Sequence, residues 1–260
     1  MMNDKPVSEF SVDKLQLKIF RNRTIMGIFA ASAVALKMRL LFKEKEQIRM
    51  IFAAAPSQND FLKSLAGMDD IDWTRVTAFH MDEYLGLEKD APQGFGTYLR
   101  QNIFDKVSFR KIHYINPMTP DPQSECRRYA QLIEQAPIDI ICLGIGENGH
   151  IAFNDPPVAD FQDRETVKVV KLDKECRQQQ VNDSCFSKFA DVPTHAITIT
   201  IPVFLKADCL STVVPGERKA SAVYNTLNSE ISTSCPATIL RQHANASLFL
   251  DSDSARLVDV

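Results

Sequence analysis

The sequence predicts an α/β protein, a doubly wound, mostly parallel sheet with helices on both faces, forming a single domain over residues 1–260. Three observations lead there. Short apolar runs alternate with helical stretches along most of the chain, as buried parallel strands and their crossover helices do. The 260 residues, 45% of them hydrophobic, suffice for one large core, and no repeat, low-complexity tract or linker divides them. The residues with chemical potential fall directly after the apolar runs, and in open α/β sheets ligands bind beyond the carboxyl ends of the strands.

Taken in order, residues 12–43 read as a long helix, apolar from Ile25 to Leu36, with Lys37, Arg39 and Lys43 at its negative end. Arg49 to Ala54 reads as a buried strand, Asn59 to Ala66 as a helix, and Thr74 to Phe79 as the next strand. Asp121-Pro122 opens another helix, an N-cap followed by proline at the first helical position. Cys126, Tyr129, Leu132 and Ile133 then recur on one face. Ile138 to Gly144 is a strand, Ala196 to Ile201 alternates with period two, Leu210 to Val214 is short and apolar, and Ser247 to Leu250 closes the series.

Composition narrows the function. A net charge of −3 supplies no basic field, so neither nucleic acid nor an anionic membrane is expected as a partner, whereas a small anionic metabolite is compatible. The six cysteines show no zinc-ligand spacing and read as reduced thiols. Asp4, Glu9 and Asp13 precede any apolar run, which does not suit a signal peptide, and no stretch is expected to reach membrane-spanning length. A cytoplasmic protein is the expectation. A homo-oligomer is left open, because apolar helix faces serve cores and subunit contacts alike.

Four strand ends carry candidate chemistry. Gly144-x-Gly146-x-x-Gly149 matches a dinucleotide-binding, Rossmann-like fingerprint, but Asn154-Asp155-Pro156-Pro157 follows where a long helix should begin, which argues against a nicotinamide cofactor. What remains is a strand-end loop with the imidazole His150, a residue type suited to acid–base chemistry, and the carboxylate Asp155; alternatively the two only satisfy each other in a tight turn. Ala53 to Gln58 is a loop of small residues before a helix, where free amides, Ser57 and Gln58 could hold a phosphate, or where Ser57 is an ordinary cap. Asp82 and Glu83 are adjacent acids among apolar neighbours, an environment that raises a carboxylate toward a working range for carbon-acid proton abstraction; a solvated acidic turn is the plainer alternative. In Val213 to Lys219 a cation stands in the first helical turn, a conflict that a bound anion or simple solvation would relieve.

Met81-Asp82-Glu83-Tyr84-Leu85-Gly86-Leu87, then Gly144 to Asn154, then Pro215-Gly216-Glu217-Arg218-Lys219 resemble, in that order and spacing, the glucosamine-6-phosphate deaminase/isomerase family, over most of the chain. The resemblance implies that Asp82 moves a proton between C2 and C1 of an opened sugar, that His150 assists ring opening, and that Lys219 binds the substrate phosphate, with Glu83 and Gly146 also at the ligand. Glucosamine 6-phosphate would yield fructose 6-phosphate and ammonia, with no metal or organic cofactor required. Four positions depart from the family pattern. Asn148 stands where many members have an acid, and Asp155 replaces a glutamate. Ala54-Ala55-Pro56-Ser57 replaces a glycine-rich loop, and an expected arginine aligns near Gln180, with Arg177 one turn earlier as its substitute. These changes are also compatible with another sugar phosphate, or with isomerisation without ammonia release. A 6-phosphogluconolactonase-like hydrolase is the nearest rival and a non-catalytic sugar-phosphate sensor the next.

Overall fold

The computed structural model describes residues 5–258, so Asp4 and the two terminal segments of the expected domain lie outside it. The strands are β1 (Ser8–Val12), β2 (Leu15–Phe20), β3 (Ile48–Phe52), β4 (Val76–His80), β5 (Asp82–Tyr84), β6 (Lys111–His113), β7 (Ile140–Leu143), β8 (Val167–Lys171), β9 (His195–Ile199), β10 (Cys209–Val214) and β11 (Ala246–Asp251). The helices are α1 (Arg23–Glu44), α2 (Asn59–Ala66), α3 (Phe95–Leu99), α4 (Pro122–Glu134), α5 (Lys174–Asn182), α6 (Ile201–Lys206) and α7 (Ala220–Asn228).

Eight strands form the main sheet in the order β1-β2-β11-β10-β7-β3-β4-β6, parallel except for the β1–β2 hairpin. Side chains alternate across it. Ile51, Phe79, Ile141 and Leu248 enter the apolar layer beneath α4 and α7, while Met50, Phe52, Ala78 and Phe249 enter the layer beneath α1 and α2. Both faces are covered, as expected of a doubly wound sheet.

Three expectations are corrected. Residues 12–43 are not one helix: Leu15–Phe20 alternates buried and exposed as β2, Asp13 turns the hairpin at φ +51°, and α1 begins only where the Asn22 side chain accepts the Ile25 amide at 2.9 Å. The period-two run at Ala196 to Ile201 does not join the main sheet. As β9 it is the centre of a separate antiparallel sheet between β5 and β8, which explains its regular alternation. A helix also reaches membrane-spanning length, because α1 is long and apolar enough by length and composition. Its inner face, with Met26, Ala30, Val34 and Met38, packs into the core, and Ile28, Leu36 and Leu40 are exposed on its outer face.

Candidate active site

The carboxyl ends of β3, β7 and β10 converge with β5 on one small cavity. It is lined by Ala53, Ala54, Ala55, Ser57, Gln58, Asp82, Gly146, His150, Gln180 and Lys219, among others, and at about 70 Å³ it has room for about two waters. Asp82, His150, Ser57, Gln58, Gly146 and Lys219, drawn from all four predicted strand ends, therefore share one pocket.

Asp82 opens β5, where alternation sends it to the pocket and its neighbour Glu83 to the opposite face. The Asp82 carboxylate is 5% exposed and has no hydrogen-bond donor among the described residues. Burial, then the charges of Glu83 and Asp155, push it well above the ordinary carboxylate range. Its main chain is fixed from behind by His80, whose Nδ1–H donates to the Asp82 carbonyl at 2.8 Å while Nε2 accepts the Ile115 amide at 3.0 Å. This pattern defines one neutral tautomer, and burial pushes the imidazole down to about 4.

His150 stands on Gly146. A Cβ on Gly146 would lie 2.2–2.4 Å from the imidazole ring, so only glycine fits beneath it. His150 Nδ1 faces two acceptors, Asn148 Oδ1 at 2.7 Å and Asp155 Oδ1 at 2.9 Å, which assigns the proton to Nδ1 and leaves Nε2 for a ligand. Asn148 also donates to Asp155 Oδ1 at 3.1 Å, so the three side chains form a closed group. Burial raises Asp155, but His150 and the hydrogen bonds from His150, Asn148 and the Asp173 amide outweigh it and hold the carboxyl below its ordinary value. Asp155 and Asn148 thus sit behind the imidazole and position it. The loop is anchored to β9: the Phe153 amide donates to Thr198 Oγ1 at 3.1 Å and Asn154 Nδ2 to the Ile199 carbonyl at 2.9 Å. His150, Asp155 and Cys176 also place one donor atom each within 4.8 Å of one another, three ligand types that suit zinc but one fewer than a closed structural site.

Lys219 ends a short 3₁₀ turn leading into α7 and is 8% exposed, without an ion pair at contact distance among the described residues. Burial lowers its pKa, against the opposing pull of Asp183 and Glu147. The turn before it depends on Gly216 at φ +92°, whose amide donates to both Asp251 oxygens at 3.0 and 3.1 Å. Gln58 Nε2 bridges to the Val213 carbonyl at 3.1 Å and to Ser57 Oγ at 3.2 Å, tying the Ala-rich loop to the end of β10.

Two predicted residues lie elsewhere. Glu83 accepts the Tyr84, Phe95 and Gly96 amides at 3.0, 3.0 and 2.8 Å, so it caps α3 and offers nothing to a ligand. Arg177 donates to the Phe189 and Val192 carbonyls at 3.0 and 2.7 Å and stacks on Phe189, away from the cavity. Gln180, the aligned position itself, lines the pocket instead. Residues that sequence reasoning missed include His80, Thr198 and Asp251, none of which touches the cavity directly.

The model of the family described as glucosamine-6-phosphate isomerases/6-phosphogluconolactonase matches residues 26–249. The chain belongs to this family. Curated members similar to it include glucosamine-6-phosphate deaminases of Exiguobacterium sibiricum, 40% identical over 190 residues (73% of each chain), and of Bacillus cereus strain B4264, 36% identical over 187 residues (72% of this chain, 70% of that one). Among solved structures, a monomeric glucosamine-6-phosphate deaminase superposes with a TM-score of 0.84 at 28% identity, covering 93% of this chain and 99% of that one. A 6-phosphogluconolactonase of Thermotoga maritima gives a TM-score of 0.75 at 18% identity, covering 92% and 100%, and shares the fold.

Proposed function

We propose that the chain is an enzyme that isomerises and deaminates glucosamine 6-phosphate, or a closely related amino-sugar phosphate, to the ketose phosphate and ammonia. The observation that carries this reading is Asp82, a buried, unpaired carboxyl at the pocket whose raised pKa makes it a stronger base than an exposed aspartate. Support comes from the deaminase names of relatives at 35–40% identity.

On this reading Lys219 receives the phosphate, which supplies the charge its burial lacks. His150 Nε2 takes the proton of the C1 hydroxyl and returns one to the ring oxygen, opening the pyranose. Asp82 removes the C2 proton while the C1 oxygen takes a proton released by the substrate ammonium, giving an enolamine, and Asp82 then delivers the C2 proton to C1. The resulting C2 imine adds one water and releases ammonia, leaving fructose 6-phosphate. The chain's own side chains carry the ring-opening proton and the carbon-bound one. The six unpaired cysteines fit a reducing cytoplasm, and the surroundings of the pocket call for a small metabolite rather than nucleic acid or membrane.

Purified protein is given glucosamine 6-phosphate, and ammonia and fructose 6-phosphate are followed together, with Asp82→Asn alongside. Both products in equal amounts from the parent, with a loss on the order of 10³-fold in the variant, is the expected result. Ketose without ammonia would reduce the activity to isomerisation. Turnover of 6-phosphogluconolactone, with no deuterium entering a sugar phosphate from heavy water, would assign the lactonase reading, and tight binding without turnover the sensor.

A further inference from the structure

The opposite end of the sheet carries a second polar cavity, of about 690 Å³, at the N-terminal ends of β3, β4 and β6. Buried parallel strands are normally apolar here, yet β3 and β4 both break their burial at the second residue, Arg49 and Thr77. The register places Arg49 beside Thr77 and Thr77 beside Lys111, a polar row across three strands, and His113 follows on the same face of β6 beside Phe79. Lys45 and Arg110 complete a lining with four permanent cations and an imidazole against one acid, Asp139. Asp139 is already taken, by an ion pair with Lys45 and by the Arg49 amide at 2.7 Å, and Lys45 also pairs with Asp208 at 3.1 Å, so the uncompensated cations are Arg49, Arg110 and Lys111. In a chain of net charge −3, this is a marked local excess of positive charge.

We infer that this cavity is a binding site for a small, multiply charged anion of the phosphate class, separate from the candidate active site. Lys45 is held by its two acids, and the other three cations divide into two groups. Arg49 is held rigid: its guanidinium stacks on Phe79 at 4.9 Å and donates to the Ile133 carbonyl at 2.9 Å and to those of Leu132 and Ala136, closing the end of α4. Arg110 and Lys111 are exposed and have no side-chain partner among the described residues, so they can turn onto a ligand. His113 stacks on Phe79 with centroids 4.9 Å apart. Burial and then Lys111, Arg128 and Arg49 push its pKa down to about 4; all the charges acting on it are cations, a site where an anion relieves repulsion. The volume lies in the range of small-ligand pockets, and the cations converge on one cavity instead of forming the stripe that tracks a nucleic acid.

The test is a titration of the full chain with pyrophosphate at constant ionic strength, following the ring resonances of His113 and His150 separately by NMR. The Lys219→Ala variant, which lacks the phosphate-binding cation proposed for the active site, is titrated in parallel. We expect the His113 resonances to move saturably, with a rise in the pKa of the ring, and to do so equally in Lys219→Ala. Arg110→Ala/Lys111→Ala should weaken that response at least tenfold while leaving the His150 response unchanged. Fructose 6-phosphate in place of pyrophosphate shows whether a phosphate ester suffices. A His113 signal that does not move, that moves only when Lys219 is present, or that moves equally in the double variant would overturn the site. None of these results depends on turnover of an amino sugar.

Discussion

Asp82 is under two opposed demands, and its pKa states the conflict. The folded chain holds the Asp82 proton more tightly than the unfolded chain does, so this residue's contribution to stability is complete below the ordinary value of 3.8 and is lost as pH rises toward the native one. Asp82→Asn removes that loss. Its melting temperature should therefore exceed the parent's at pH 8 by more than at pH 4, even though turnover is lost; a gap independent of pH would mean that the carboxyl is not desolvated as described. Gly146 makes the complementary case. Gly146→Ala must displace the imidazole it supports, and a displacement near 1 Å costs roughly 100-fold in turnover, so kcat should fall on that order with little change in Tm. At this scale Asp82, His150 and Lys219 were legible, because each follows an apolar run within a motif. The directions of Glu83 and Arg177 were not. Glu83 is committed by amides up to 13 residues away, and Arg177 by carbonyls 12 and 15 residues away, distances at which no local pattern speaks.

The elements that position the site differ in how they announce themselves. β3, β4, β7, β10 and β11 are short apolar runs inside a two-faced sheet, and the sequence shows them as such. β5, β6 and β8 are three to five residues long, and β8, Val-Lys-Val-Val-Lys, lies at the edge of a small sheet that no parallel pattern predicts. That small sheet nevertheless carries Asp82 and anchors the His150 loop through Thr198. The α3 cap belongs to the same assembly. Glu83→Ala leaves three buried amides without an acceptor and should destabilise the protein by about 2 kcal/mol, with kcat within a few-fold of the parent, as measured by urea unfolding and steady-state kinetics. A large rise in KM at unchanged stability would instead return Glu83 to the substrate.

At the scale of the molecule the doubly wound layout was legible from alternating element types, but the strand order was not, since pairing partners are set by packing across the whole chain. The most distant pairing is β2 with β11, which joins Leu17 to Leu248 in register. Truncating the chain before residue 246 should therefore abolish cooperative unfolding altogether, with the N-terminal hairpin losing its protection from hydrogen exchange along with the C-terminal helices. A truncated chain that kept a sharp thermal transition would show the β2–β11 pairing to be dispensable. The same pairing imposes a schedule. On the ribosome β2 emerges long before its neighbour β11, so Leu15, Leu17 and Ile19 lack that neighbour while all the intervening strands are made. Completion of the sheet waits for β11, and in the interval the nascent chain is a natural client for chaperones that shield apolar segments.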